Sequence, residues 1–135
     1  MIKNKLARKM CVLATVCCLG FASVPVSAAT IDFNVTVGGS GSQDPLSQRT
    51  SKNDGEQRAY FTPTYSSVGS GAALEAFSYK IGDSSTKTSS VYMGPGNLGY
   101  TQTAGYKKTA AAGLQYAMQS VAAMGRINLK GKYCP

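Results

Sequence analysis

The sequence predicts an all-β fold, a small antiparallel β-sandwich of about six or seven short strands, on three observations. Apolar residues recur at every second position in the clearest stretches, first at Thr30 to Gly39 and last at Gly125 to Pro135. Clusters of Gly, Ser, Asn, Asp and Pro break the chain at short intervals, and β-branched and aromatic residues fill the spaces between them. A helical reading competes seriously in one segment, Lys107 to Met124.

Residues 1–29 follow a different plan. Lys3, Lys5, Arg8 and Lys9 precede an apolar run from Met10 to Ala22, and small residues follow. This is the pattern of a cleavable secretory signal peptide, and the run CVLATVCCLGFA is too short to cross a hydrocarbon layer of roughly 30 Å comfortably as a helix. Ser27 and Ala29 stand three and one residues before a cut at Thr30, so 30–135 is expected to be one secreted, extracellular domain. Cleavage takes four of the fourteen basic residues and none of the six acidic ones, leaving a net charge of +4 over 106 residues. That balance suits a solvated exported domain that contacts anionic envelopes, and no Arg and Lys cluster is dense enough for nucleic acid. Cys11, Cys17 and Cys18 leave with the leader, so Cys134 is left as a small apolar residue or as the link of a disulfide dimer. The expected state is a monomer or weak dimer.

The mature chain opens on TIDFNVTVGG, with Ile31, Phe33, Val35 and Val37 alternating against Asp32, Asn34 and Thr36, a half-buried strand closed by glycines. From Gly38 to Gln57 the chain is polar and rich in turn residues, Asp44-Pro45 and Asn53-Asp54-Gly55 among them, and reads as a flexible loop. RAYFTPTYS, 58 to 66, is a strand that Pro63, lacking an amide hydrogen, places at an edge or a bulge. Ala72 to Ile81 is a strand with Phe77, Tyr79 and Ile81 in one phase, and Val91-Tyr92-Met93 is a short one ending at Gly94-Pro95-Gly96-Asn97. Tyr100 to Tyr106 forms a short strand or an irregular crossing.

For Lys107 to Met124 two readings stand. Alanine and methionine favour a helix, with Leu114, Met118 and Val121 three and four apart. As a strand, Leu114, Tyr116 and Met118 alternate with polar or small residues, and Gly113 costs an interior helix about 1 kcal/mol relative to alanine. The strand reading pairs Gly113 to Val121 with Gly125 to Cys134 as a hairpin around Ala122-Ala123-Met124. The last strand turns Ile127, Leu129 and Tyr133 to the core and Arg126, Asn128, Lys130 and Lys132 to solvent.

The run YSSVGSG, AFSYKIG, SSVYMGPG, YTQTAGY, GLQYAM and GRINLKGKYCP resembles poorly characterised small secreted proteins of Gram-positive bacteria, whose all-β domain ends in Gly-x-aromatic-x-Pro, here Gly131-Lys132-Tyr133-Cys134-Pro135. The likeness spans most of 57–135. It implies an exported β-sandwich and little about activity; the alanine-rich 109–123 departs from it.

The chain has no histidine, which excludes the usual Ser-His, Cys-His and imidazole-metal arrangements. Asp32, Asp44, Asp54, Glu56, Glu75 and Asp83 show no spacing for a paired-carboxylate hydrolase or a calcium loop. No catalytic residue, cofactor or metal is expected. Eight tyrosines supply rigid, amphipathic contact area. The expected function is non-enzymatic binding of an extracellular protein, glycan or cell-envelope surface through Arg126, Lys130, Lys132, Lys107, Lys108, Tyr100 and Tyr106. The alternative is an antimicrobial or toxin-like protein in peripheral contact with an anionic membrane, favoured by the net charge of +4 and by Lys107-Lys108 beside an alanine-rich segment, and strengthened if 107–124 is an amphipathic helix.

Overall fold

The computed structural model describes residues 29–38 and 45–135. The leader with Cys11, Cys17 and Cys18, and the stretch 39–44 with Asp44, lie outside the described residues. Nine strands form among them: β1 (Ile31–Val37), β2 (Arg49–Lys52), β3 (Arg58–Ser66), β4 (Ala73–Lys80), β5 (Asp83–Lys87), β6 (Val91–Met93), β7 (Gln102–Gly105), β8 (Leu114–Met124) and β9 (Ile127–Cys134). One sheet runs β1-β9-β3-β7; the other runs β2-β8-β4-β5, with β6 on the same edge of β4 beyond β5. All the pairings are antiparallel.

Alternation selects the core. Phe33, Val35 and Val37 of β1, Ala59 and Phe61 of β3, and Ile127, Leu129 and Tyr133 of β9 point inward from the four-stranded sheet. Leu74, Ala76, Met93 and Met118 meet them from the other sheet, and burial of this apolar set drives the two sheets together. Phe61 and Tyr133, directly opposite across β3 and β9, stack with ring centroids 5.4 Å apart. Gly131 is also inward, and Phe33 lies across it from the paired position on β1. A methyl group at Gly131 would come within 2.6 Å of the Phe33 ring and collide with the Thr62 carbonyl.

Pro63 sits at a bulge, as expected, though β3 is an interior strand. Its carbonyl accepts from the Gly99 amide (2.7 Å), so its missing amide hydrogen faces the side where β7 has not yet begun. The Lys107–Met124 question resolves as loop followed by strand: β8 lies between β2 and β4 with Tyr116 and Met118 fully buried.

The hairpin expected between the last two strands does not form. β8 belongs to the five-stranded sheet and β9 to the four-stranded one, where β9 pairs with β1 and β3. The chain turns between them at Gly125, φ 62°, and crosses from one sheet to the other. A short connection between two alternating strands fits a hairpin and an arch equally well; the choice falls to the arch because both strands are long, apolar on one face and can bury those faces against each other. The described part of the polar stretch, residues 45–57, is also more ordered than a loop. It contains β2, whose inward residues are Thr50 and Lys52, so no apolar period announces it.

Candidate functional site

The two sheets turn very different faces outward. On the four-stranded sheet, Asp32 lies opposite Lys132 and Lys132 opposite Thr62; Asn34 lies opposite Lys130. Several of the polar side chains on this face bond to neighbours. The Asn128 amide nitrogen lies 2.8 Å from Asn34 Oδ1, 2.9 Å from Thr36 Oγ1 and 3.2 Å from the Val35 carbonyl. Thr62 and Thr101 hydroxyls bond at 2.8 Å, and the Lys130 ammonium stands 5.2 Å from the Tyr65 ring centroid. A groove of about 350 Å³ runs between Thr30, Tyr60, Thr62, Thr101, Lys132 and Cys134. Tyr60 donates to the Glu56 carboxylate, and that bond raises its pKa above the ordinary phenol value. Burial likewise pushes the Cys134 thiol up, against a lowering bond from Thr30, so it is protonated at neutral pH and weakly nucleophilic.

The five-stranded sheet is aromatic outside. On β4 the small residues Ala76 and Ser78 turn inward against Met118 and Tyr116, which supply the bulk, and the large Phe77 and Tyr79 turn outward. Tyr79 faces Lys87 of β5 and Ala117 of β8; Phe77 faces Gln119; Glu75 faces Tyr92 of β6 and Val121. The Phe77 and Tyr79 ring centroids are 6.2 Å apart with planes inclined at 51°, and the Lys87 ammonium is 5.6 Å from the Phe77 centroid. With Ser84 and Gln119 they enclose a cleft of about 330 Å³. Tyr92 and Met124, both more than half exposed, continue the apolar surface to a second groove of about 320 Å³ beside Gly94-Pro95-Gly96.

Between the sheets lies a knot of polar groups. Ser78 Oγ bonds both the Tyr133 hydroxyl (2.6 Å) and the Tyr106 hydroxyl (2.7 Å), and Tyr106 meets Tyr116 edge to face. Lys52, completely buried, donates to Asp54 Oδ1 (2.8 Å) and the Pro135 carbonyl (3.0 Å), with its ammonium 5.5 Å from the Tyr106 ring centroid. These bonds supply the partners a buried cation requires. Desolvation holds Tyr133 and Tyr106 well above the usual phenol range, so both stay neutral. With Lys52, Ser78 and Tyr133 buried, the knot ties the two sheets together.

The seven residues expected to form a binding surface are therefore divided. Lys130 and Lys132 share the hydroxyl-rich face, Tyr100 is exposed in the loop leading to Thr101, and Arg126 is exposed in the arch. Lys107 and Lys108 lie beside β5 on the other sheet: the Lys107 amide donates to the Lys87 carbonyl (2.9 Å), and the Lys108 ammonium reaches Ser85 Oγ (2.9 Å). Tyr106 is half-buried, with its hydroxyl in the knot. Sequence reasoning missed Phe77, Tyr79, Lys87 and Gln119 as a surface. The available signal was a strand with apolar residues in both phases, Leu74 and Ala76 in one and Phe77 and Tyr79 in the other.

Among the described residues no group of three His, Cys, Asp or Glu is placed to hold a metal ion, and no helix is long and apolar enough to cross a membrane. No protein-family model, curated protein or solved structure matches the chain.

Proposed function

We propose that the chain is a small exported, non-enzymatic interaction protein, secreted by cleavage of residues 1–29, that binds a component of the cell envelope through the outer face of its five-stranded sheet. The observation that supports this is Phe77 and Tyr79 standing together outside a core that closes without them, beside a cation at Lys87. Contiguous aromatic surface with a polar rim is the composition of contact sites. The hydroxyl-rich face, by contrast, satisfies much of its hydrogen-bonding capacity internally. The reading as an antimicrobial acting on an anionic membrane keeps its net charge and Lys107-Lys108 but loses the amphipathic helix that would have strengthened it, since Leu114–Met124 is a strand.

The test begins with the full chain expressed in a secreting host and collected from the medium, where amino-terminal sequencing is expected to read from Thr30. Co-sedimentation with isolated cell envelopes is expected for the wild type and for Thr62→Ala, and is expected to be lost in the double variant Phe77→Ser, Tyr79→Ser. Retention by that double variant, with loss in Thr62→Ala or Lys132→Gln, would move the contact surface to the other sheet. Leakage of anionic vesicles on addition of the protein would instead favour the antimicrobial reading.

A further inference from the structure

We infer that the cleft between Phe77, Tyr79 and Lys87 takes an acidic glycan, a sugar chain whose rings carry carboxylates; the inference rests on the proposed contact face and names its ligand. Phe77 and Tyr79 stand two residues apart on the outer side of β4, with planes inclined at 51° rather than parallel. Two inclined rings offer apolar stacking surfaces for successive sugar residues turned relative to each other, whereas a flat stack of bases calls for parallel planes. Gln119 and Ser84 line the same cleft and bring donors and acceptors for hydroxyl groups. A volume of about 330 Å³ lies at the small end of ligand sites, enough for a short stretch of a chain that continues over the open face.

Charge decides the class of glycan. The Lys87 ammonium stands over one face of the Phe77 ring, 5.6 Å from its centroid, so an anion paired with it lies within about one sugar ring of the aromatic surface that remains open. A carboxylate borne directly on the ring meets that condition. Lys107 and Lys108 stand beside β5, the Lys107 amide on the Lys87 carbonyl and the Lys108 ammonium on Ser85 Oγ. Two carboxylates share this face: Glu75, two residues before Phe77 on β4 and opposite Tyr92, and Asp83, which hydrogen bonds from Ser85 and Thr86 keep ionised; on the β5 side Lys87, Lys107 and Lys108 outnumber Asp83. The β5 side is therefore cationic, and an acidic chain would lie across the aromatic pair with its charges toward that side.

Isothermal titration of the secreted protein with a galacturonate hexamer, a neutral N-acetylglucosamine hexamer and inorganic polyphosphate tests this. The galacturonate hexamer is expected to bind, more weakly as salt rises. Phe77→Ala and Lys87→Gln are each expected to weaken it about tenfold. Far-UV circular dichroism checks that each variant is folded, and Lys87→Gln removes an exposed ammonium without touching the core. Equal binding of the neutral hexamer would overturn the acidic requirement, and equal binding of polyphosphate would overturn the stacking. Absence of galacturonate binding while envelope co-sedimentation persists would overturn the glycan and leave the contact face standing; loss of both would overturn both.

Discussion

The outer faces of the two sheets are built by the same alternation and end in opposite conditions. On the four-stranded sheet, Asn128 gathers Asn34, Thr36 and the Val35 carbonyl, while Thr62 holds Thr101, so these five polar side chains are occupied by one another or by the backbone. On the five-stranded sheet Phe77 and Tyr79 touch each other and Lys87 but leave an open cleft between them. The inner faces explain the difference. Small Ala76 and Ser78 suffice inside β4 because Met118, Tyr116 and Met93 fill the space, so the bulky phase of that strand is free to serve the surface. Aromatic content alone does not mark a core strand.

Since the two faces share one core, a deep cut should abolish both and a surface change only one. Leu129→Ala removes a fully buried side chain of β9 and is expected to cost about 2–5 kcal/mol, read as a large fall in melting temperature with loss of binding at either face. An unchanged melt would remove Leu129 from the core. Gly131→Ala is expected to cost about 1–3 kcal/mol, because the new methyl meets the Phe33 ring and the Thr62 carbonyl. It should disturb the hydroxyl-rich face, which lies on the same strands, more than the aromatic one, and amide chemical shifts around Thr62 and Phe77 would compare them.

Protonation separates the faces further. Tyr133 has its pKa raised by burial, so its contribution to stability is complete below the ordinary phenol value of about 10 and is lost as pH rises above it, the unfolded chain ionising first. Denaturant midpoints should fall above that pH, and less steeply in Tyr133→Phe. At the β4–β5 turn, hydrogen bonds from Ser85 and Thr86 bring the Asp83 carboxyl down to about 2. Its contribution is present above the ordinary carboxylate value of about 4 and disappears as pH falls toward 2, an effect confined to the aromatic sheet and small at so exposed a position. Asp83→Asn should flatten that part of the acid profile. Smallest of all, Lys87→Gln is expected to shift stability by less than about 0.5 kcal/mol, which makes it the cleanest probe of the cleft.

Much of the architecture was legible. β1 and β9 announce themselves because each has one apolar and one polar phase, and Pro63 pointed to its bulge through the chemistry of its missing amide hydrogen. β2 was hidden because its inward residues are Thr50 and Lys52, and what holds Lys52 inside, Asp54 and the carbonyl of Pro135, includes a partner distant in sequence. The arch at Gly125 was hidden because a two-sheet crossing and a hairpin share one local pattern. The surface of interest was hidden for a related reason: periodicity says that β4 has two phases, and only the neighbouring strands decide which of them faces out. Lys130 and Lys132 stood out by alternation, whereas the association of Lys107 and Lys108 with Lys87 depends on a contact between distant parts of the chain.

The place of β9 in the four-stranded sheet bears on the order of assembly. It is the strand between β1 and β3, yet it follows every other strand in the chain. Until it arrives, β1 lacks its hydrogen-bonded neighbour and half of the core lacks a wall, so the sheet closes by joining segments from opposite ends of the domain, a slow kind of closure. A nascent chain would thus stay open through most of its synthesis and commit to its final shape only once β9 has been made.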